Sequence, residues 1–147
     1  MIAVDTNILV YAHRSDSPFF AAASACLRDL SMGAAPWAIA WPCLYEFYSV
    51  VTHPKIYVPP TPLARVLDQI EAWLESPKVV LLSETSMHWS VLRDMLRDAK
   101  IDGPRVHDAR IAALCLQNGV SELWTADRDF GRFPQIRVRN PLVRLSR

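Results

Sequence analysis

Short apolar runs alternate with longer helical patterns along the chain, and this alternation restricts the fold more than any other feature of the sequence. Strands that alternate with helices predict a mainly parallel sheet with helices on both faces. At 147 residues the chain is long enough to bury a core, so we expect a single three-layer α/β/α domain over 1–147. The expected strands number four to five, at residues 2–4, 37–40, 79–82 and 123–125, with a short edge strand at 136–138.

Prolines mark where several helices should begin and end. Ser17-Pro18 predicts a helix that continues to about Leu30. Pro42 opens another, which must end before His53-Pro54 because proline disfavours helical geometry in the residue before it. Thr61-Pro62 opens a strongly amphipathic helix. The apolar stripe of that helix, and that of the helix after it, contain Leu63, Val66, Leu67, Ile70 and Leu74, then Trp89, Leu92, Met95 and Leu96.

Four acidic residues lie at the edges of apolar segments. Asp5 closes the first run and Asp127 follows residues 122–126, so both should lie at the carboxyl ends of strands. Glu46 lies on an apolar helical face, and Asp108 begins another helix. A carboxylate aimed at a core costs several kcal/mol unless it is compensated. Ligand crevices of open α/β sheets lie at the carboxyl ends of the strands, so we expect all four acids to gather there.

A divalent cation would compensate four carboxylates at once. Without a cation their mutual repulsion would raise their pKa values until some were protonated. Ligation by oxygen alone favours Mg²⁺ or Mn²⁺ over Zn²⁺, and such an ion can activate water and hold a phosphodiester. Asn7 and Thr125 could orient a water, a carboxylate or a phosphate oxygen, although a turn former and a strand residue are equally good interpretations.

Local structural roles remain possible for three of the acids. Asp5 could cap a helix or turn, Asp108 could interact with the dipole of its own helix, and Asp127 could cap the turn 127–129. Glu46 has the weakest explanation of this kind. Asp102 and Asp129 also lie nearby in the sequence, and we interpret both as loop or cap residues.

The charge distribution suggests a local basic surface. The net charge is only +1, which gives no global signature of nucleic-acid binding. Thirteen of the sixteen basic residues are arginine, and arginine suits phosphate through its planar fork. Pairing with local acids such as Asp102 is an equally good explanation for those near the acidic residues. The candidate phosphate contacts are Arg105, Arg110, Arg128 and Arg132, with Arg14 and the C-terminal Arg137, Arg139, Arg144 and Arg147 as further possibilities.

The cysteine pattern and the length of the apolar runs bear on localisation. Cys26, Cys43 and Cys115 lie in apolar helical patterns without CxxC spacing, as expected of small core residues in a reducing compartment. No signal peptide precedes Asp5, and no apolar run approaches the roughly 20 residues that span a bilayer. We therefore expect a cytoplasmic protein.

Residues 1–9 (MIAVDTNIL), Glu46, residues 106–113 (VHDARIAA) and residues 125–130 (TADRDF) together resemble a PIN domain, in particular the VapC toxins of prokaryotic VapBC toxin–antitoxin modules. The resemblance implies an Mg²⁺-dependent endoribonuclease, with Mn²⁺ as a substitute, that cleaves structured transfer or ribosomal RNA. It also implies a homodimer inhibited by a VapB-like antitoxin. The acidic site of the family maps onto Asp5, Glu46, Asp108 and Asp127 as catalytic and metal-binding residues, with Asn7 and Thr125 as supporting residues.

Other classes of protein fit the sequence less well. A haloacid-dehalogenase-type phosphatase, which also begins with an aspartate after its first strand, needs a second acid where this chain has Asn7. Nucleotide-binding folds are disfavoured because the chain has four glycines and neither a GxGxxG nor a Walker loop. A PIN-like module that binds RNA or protein without catalysis is the main alternative. The large apolar stripe of residues 63–74 predicts contact with a second subunit or an antitoxin segment.

Overall fold

A five-stranded, entirely parallel sheet forms the centre of the computed structural model, which describes residues 1–144. Strand order across the sheet is β3-β2-β1-β4-β5, so β1 lies in the middle. Helices cover the sheet, and the expected three-layer α/β/α class is confirmed. The strands within the described part of the chain are β1 (Ile2–Val4), β2 (Trp37–Ala40), β3 (Val79–Leu82), β4 (Glu122–Trp124) and β5 (Val138–Arg139).

The connections between the strands are mostly helical, as parallel pairing requires. Two short 3-10 helices, Gly103–Arg105 and Arg128–Arg132, lie before α6 and after β4. Within residues 1–144, no helix combines the length and the apolar character needed to cross a membrane. The α-helices of this range are α1 (Thr6–His13), α2 (Phe20–Met32), α3 (Trp41–Val51), α4 (Leu63–Glu75), α5 (His88–Asp98) and α6 (Val106–Gln117).

Helix α1 was not predicted from the sequence. It begins directly after β1, and the Asp5 side chain caps it by accepting a hydrogen bond from the backbone N–H of Thr6 (2.8 Å). Ile8, Leu9 and Val10 are buried in succession and residues 11–13 are half-buried, so the eight residues of the helix show no clear 3.6-residue pattern. The helix immediately after the β1 strand brings residues 5–7 to the carboxyl edge of the sheet.

Two predicted helix starts are displaced. The helix assigned to Ser17-Pro18 begins at Phe20, because the Ser17 hydroxyl accepts from Phe19 N–H within a preceding turn. The helix assigned to Thr61-Pro62 begins at Leu63. Thr61 is buried and its hydroxyl binds other side chains instead of capping.

Burial departs from the apolar patterns of the sequence in two segments. Residues 79–82 form an edge strand in which only Leu82 is fully buried. Trp89 belongs to the apolar stripe of α5, yet 64% of its surface is exposed. In α4, Val66 and Trp73 are buried whereas Leu63, Leu67 and Leu74 are exposed by 54%, 47% and 39%. Part of the α4 stripe therefore lies at the surface, as the expected contact with a second subunit or an antitoxin segment requires.

The last two strands differ slightly in extent from their predicted positions. Strand β4 ends at Trp124, which leaves Thr125 just beyond the sheet, and β5 covers Val138–Arg139 instead of 136–138. Ile136 is buried outside a strand. The C-terminal Arg147 lies outside the described residues.

Candidate active site

All four predicted acids line one cavity at the carboxyl edge of the sheet, with a volume of about 260 Å³. Asp5 follows β1, and Asp127 lies three residues after the end of β4. Glu46 comes from the second turn of α3 and Asp108 from the first turn of α6. The parallel topology therefore brings together acids that are up to 122 residues apart in the sequence.

Asp5 is buried and held by several hydrogen bonds. Its Oδ2 accepts from the Thr125 hydroxyl (2.7 Å) and from Asn7 Nδ2 (3.1 Å). Oδ1 accepts from Thr6 N–H (2.8 Å), and the thiol of Cys43 lies 3.7 Å from the same oxygen. Only 5% of the residue is exposed. Both carboxylate oxygens are therefore fixed in position by the protein itself.

Asn7 and Thr125 connect Asp5 to the loop that carries Asp127. Asn7 Nδ2 also donates to the Thr125 hydroxyl (3.1 Å), and Asn7 Oδ1 accepts from Ala126 N–H (3.0 Å). Asp127 N–H donates to Thr125 Oγ1 (3.0 Å). The supporting position predicted for both residues agrees with these contacts, and neither acts merely as a turn former or strand residue.

Glu46 is exposed, so the expectation of a carboxylate aimed at the core was wrong for this residue. Its Oε2 accepts a hydrogen bond from the hydroxyl of Thr6 (3.0 Å). Thr6 thus binds Asp5 through its backbone and Glu46 through its side chain. Its role was missed in the sequence, where the Thr between Asp5 and Asn7 carried no helical signal.

Asp108, Asp127 and Asp129 each offer a carboxylate oxygen, and these oxygens lie within 4.8 Å of one another. Asp129 was interpreted from the sequence as a loop or cap residue, and its membership of this group was missed. The 3-10 helix after Asp127 turns Asp129 back towards the cleft. Asp127 also caps this helix, since its Oδ1 accepts from Asp129 N–H (2.9 Å). Its local capping role and its place in the acidic group are therefore compatible.

Burial and mutual repulsion make ionisation unfavourable at two of the acids. Burial raises the pKa of Asp5 to about 6, and hydrogen bonds from Thr125 and Thr6 only partly oppose this effect. The pKa of Asp108 is also raised, first by burial and then by the charge of Asp127, while Arg105 opposes the increase. A cation in the cleft would favour the charged forms of both groups.

The donor set fits a hard divalent cation. The cavity offers carboxylate oxygens, which suit Mg²⁺ or Mn²⁺. The nearby sulfur is a poor ligand, because burial raises the pKa of Cys43 well above its ordinary value and keeps the thiol protonated. Asp5, Glu46, Asp108 and Asp127 could hold such an ion, and Asp129 joins them as a further candidate.

The arginines near the cleft differ in how they are engaged. Arg110 Nη2 lies 2.7 Å from Glu84, so it pairs with a local acid, although not with Asp102. Arg14 is similarly paired with Asp16 (2.7 Å). Within residues 1–144, Arg105, Arg128 and Arg132 form no ion pair with an acid. These three lie within three residues of Asp108, Asp127 or Asp129 in the sequence, so they remain the candidates for contact with a phosphate.

Similarity to solved structures supports the fold. The structure of VapBC2 from Rickettsia felis bound to a promoter DNA fragment aligns with a TM-score of 0.66 at 22% identity, covering 95% of this chain and 98% of that one. VapC20 from Mycobacterium tuberculosis, described as a sarcin–ricin loop cleaving toxin, aligns with a TM-score of 0.64 at 14% identity, covering 93% and 99%. Both proteins share the present architecture.

The model of the PIN domain matches residues 2–136, and the chain belongs to the PIN-domain family. Proteins with similar sequences carry more specific names than the family. Ribonuclease VapC43 from Mycobacterium tuberculosis is 34% identical over 142 residues, covering 97% of this chain and 96% of the relative. Ribonuclease VapC48 from the same organism is 31% identical over 137 residues, covering 93% and 94%. The resemblance noted in the sequence is confirmed over nearly the whole chain.

Proposed function

We propose that this protein is a ribonuclease of the VapC type, the toxin of a VapBC toxin–antitoxin module, and that it cleaves RNA internally with the help of Mg²⁺. The observation that carries the proposal is the convergence of Asp5, Glu46, Asp108 and Asp127 on one cavity of a PIN fold. Relatives named VapC ribonucleases, aligned over nearly the full chain, support it.

In this proposal the four acids, assisted by Asp129, hold the cation, and Mn²⁺ substitutes for Mg²⁺. When bound, the ion would supply charge stabilisation at the scissile phosphate and lower the pKa of a coordinated water. Asp5 sets the position of the site, because its two oxygens are already oriented by Thr6, Thr125 and Asn7.

The remaining residues of the cleft position the acids and the RNA. Thr6 orients Glu46 through its hydroxyl, and Thr125 joins Asp5 to the loop of Asp127. Phosphates next to the cleaved bond would contact Arg105, Arg128 and Arg132, which lie within three residues of Asp108, Asp127 or Asp129 in the sequence and have no carboxylate partner among residues 1–144. Such contacts fix the register of the backbone, while the shape of the RNA determines specificity.

The substrate class we propose is structured RNA, either transfer RNA or ribosomal RNA. The similarly folded VapC20 is described as cleaving the sarcin–ricin loop, so a ribosomal RNA loop is a reasonable first substrate to test. Sequencing the RNA 5′ ends produced on expression would identify the target. The matched control is Asp108→Asn, and cleavage sites equal in both samples would argue for a non-catalytic RNA- or protein-binding module.

The proposal includes a VapB-like antitoxin and a homodimer. Solved complexes named VapBC support the antitoxin. Leu63, Leu67 and Leu74 give α4 an exposed apolar face, which suits a subunit interface. Sedimentation of the purified protein should show a dimer at micromolar concentration, and a monomer would contradict this part. We also place the protein in the cytoplasm, since its three cysteines are free thiols.

Chelation separates an enzyme from a binding module most simply. RNA cleavage should stop in EDTA and return when Mg²⁺ or Mn²⁺ is added in excess. If cleavage continues in EDTA, the metal-dependent mechanism is wrong. If the protein binds RNA but never cleaves it with either ion, the non-catalytic alternative is supported. A phosphatase would instead release phosphate from small phosphate monoesters.

A further inference from the structure

The cavity that contains the acids also has an apolar wall with no part in the proposed phosphate chemistry. Two aliphatic and two aromatic side chains form it: Val10, Tyr11, Val50 and Tyr57. Val10 and Tyr11 belong to α1, Val50 to the end of α3, and Tyr57 to the segment that joins α3 to α4. Phosphate and cations are both hydrophilic, so such a wall must serve another part of the substrate.

Tyr57 is fixed in place by contacts with the end of α1. The guanidinium carbon of Arg14 lies 4.4 Å from the centroid of the Tyr57 ring, as in a cation–π contact. Arg14 is itself held by two hydrogen bonds to Asp16, of 2.9 and 2.7 Å, and one to Thr61 Oγ1 (3.2 Å). Because Arg14 covers one face of the ring, a ligand in the cleft can meet only the other face or the edge.

Tyr11 is held in a similar way. Its ring packs against Phe19, with centroids 5.0 Å apart and the planes inclined by 42°. Both tyrosines are half-buried, which leaves part of each ring accessible. Burial also raises the pKa of Tyr57, so its phenol is neutral and does not repel a phosphate chain. The two tyrosines of the wall are thus held in place by neighbouring side chains and present uncharged aromatic surface.

We infer that this wall is a nucleobase subsite, in which a base beside the scissile phosphate packs against Tyr57 and Tyr11. The inference rests on the proposed RNA substrate and deepens it. The cavity of about 260 Å³ is slightly smaller than the roughly 300–1,000 Å³ of common ligand pockets, which suits one base with its phosphate. A base can reach an aromatic side chain only after leaving its own stack. The site therefore selects single-stranded or extruded nucleotides over continuous duplex.

Binding of two labelled strands to the full-length protein tests the subsite. The probes are an eight-nucleotide single-stranded RNA and the same ribose-phosphate backbone without bases, measured by fluorescence anisotropy in EDTA. Wild type should prefer the RNA. Tyr57→Leu should reduce that preference by at least about fivefold, the lower range for loss of one stacked base, without weakening binding of the bare backbone. Tyr57→Phe should retain it.

Two further variants keep the test decisive. Tyr11→Leu should also reduce the preference, and serves if Tyr57→Leu fails to fold by circular dichroism. Trp89→Leu removes an exposed aromatic of α5 outside the cavity and should change nothing. The inference is overturned if both leucine variants at the wall keep the wild-type preference for RNA. That result would favour a protein segment, not a base, as the group that contacts the wall. An equal loss for both strands would also overturn it.

The subsite and the proposed function can fail separately. Cleavage of the proposed substrates, transfer RNA and ribosomal RNA, is measured in parallel with Mg²⁺. Absence of cleavage together with a Tyr57-dependent base preference would reject the ribonuclease but retain the subsite. Cleavage in Mg²⁺ with no base preference in any variant would retain the ribonuclease and reject the subsite.

Discussion

The floor of the cleft and its rim hold their carboxylates in different ways. The floor consists of the buried Asp5 and Thr125 with the half-buried Asn7, and hydrogen bonds of 2.7–3.1 Å join the three side chains. The rim consists of Glu46, Asp108, Asp127 and Asp129, which are half-buried or exposed. The three aspartates of the rim place oxygens within 4.8 Å of one another. The floor is positioned by the fold, whereas the rim carries close like charges that a cation would stabilise.

The largest expected effect concerns the floor. Asp5→Asn keeps the shape of the side chain but removes its charge and one acceptor oxygen. We expect RNA cleavage to fall by at least about 100-fold, beyond the 10–100-fold typical of residues that only support metal ligands. Steady-state cleavage with saturating Mg²⁺ measures this. Asp94→Asn, on the surface of α5, provides the control. A loss of less than about threefold would show that the buried floor is not essential.

The second prediction concerns how the stability of the metal-free protein changes with pH, because buried Asp5 and solvent-exposed acids should affect it differently. The pKa of Asp5 is about 6 in the folded chain and 3.8 as a free side chain, so the native state binds its proton more tightly. The contribution of Asp5 to the free energy of unfolding is fully present below about pH 4 and is lost as pH rises through about 6. The difference between the two pKa values corresponds to about 3 kcal/mol. The raised pKa of Asp108 acts in the same direction.

Denaturant unfolding in EDTA between pH 4 and pH 7.5 should therefore show this loss of stability. In Asp5→Asn the loss should be smaller, and the variant should be more stable than wild type at pH 7.5 because the buried charge is gone. Excess Mg²⁺ should restore wild-type stability at high pH. Identical pH profiles for wild type and Asp5→Asn would mean that Asp5 is not strained by its burial.

A third, intermediate effect is expected at the connection between floor and rim. Thr125→Val removes the hydroxyl that donates to Asp5 and accepts from Asp127 N–H. Hydrogen bonds to charged groups contribute roughly 1.5–3 kcal/mol, so cleavage should fall by about 10- to 100-fold. Thr125→Ser keeps the hydroxyl and should remain close to wild type. Equal activity of Val and Ser variants would show that the floor and rim are positioned independently.

The sequence placed residues of both halves of the site at one edge of the sheet. Strand ends and parallel topology define that edge, and the four predicted acids with Asn7 and Thr125 all lie there. Asp129 was missed because its position depends on a 3-10 turn, and local turn chemistry explained it equally well. Thr6 was missed because the eight residues of α1, with Ile8, Leu9 and Val10 buried in succession, show no clear helical pattern. The strands and the later helices were predicted well, since their prolines and periodicity are strong local signals.

The smallest effect concerns the arginines outside the rim. Arg128→Glu combined with Arg132→Glu should weaken RNA binding several-fold. The slope of the logarithm of the binding constant against the logarithm of salt concentration should become shallower by roughly one per lost phosphate contact. Affinity for Mn²⁺ should change little. Arg28→Glu with Arg97→Glu makes the same charge change on α2 and α5 and is the control. If both pairs behave alike, only net charge matters, and the C-terminal arginines should be tested next.

The most direct test of a shared metal centre is the Mn²⁺ binding and RNA turnover of Asp5→Asn and Asp108→Asn, one from the floor and one from the rim. Calorimetry gives the affinity and stoichiometry, and the same samples are assayed for cleavage. Both variants should bind Mn²⁺ at least about tenfold more weakly and lose cleavage, because both halves contribute to one site. Wild-type turnover in both variants would contradict a metal-dependent nuclease mechanism at this cleft.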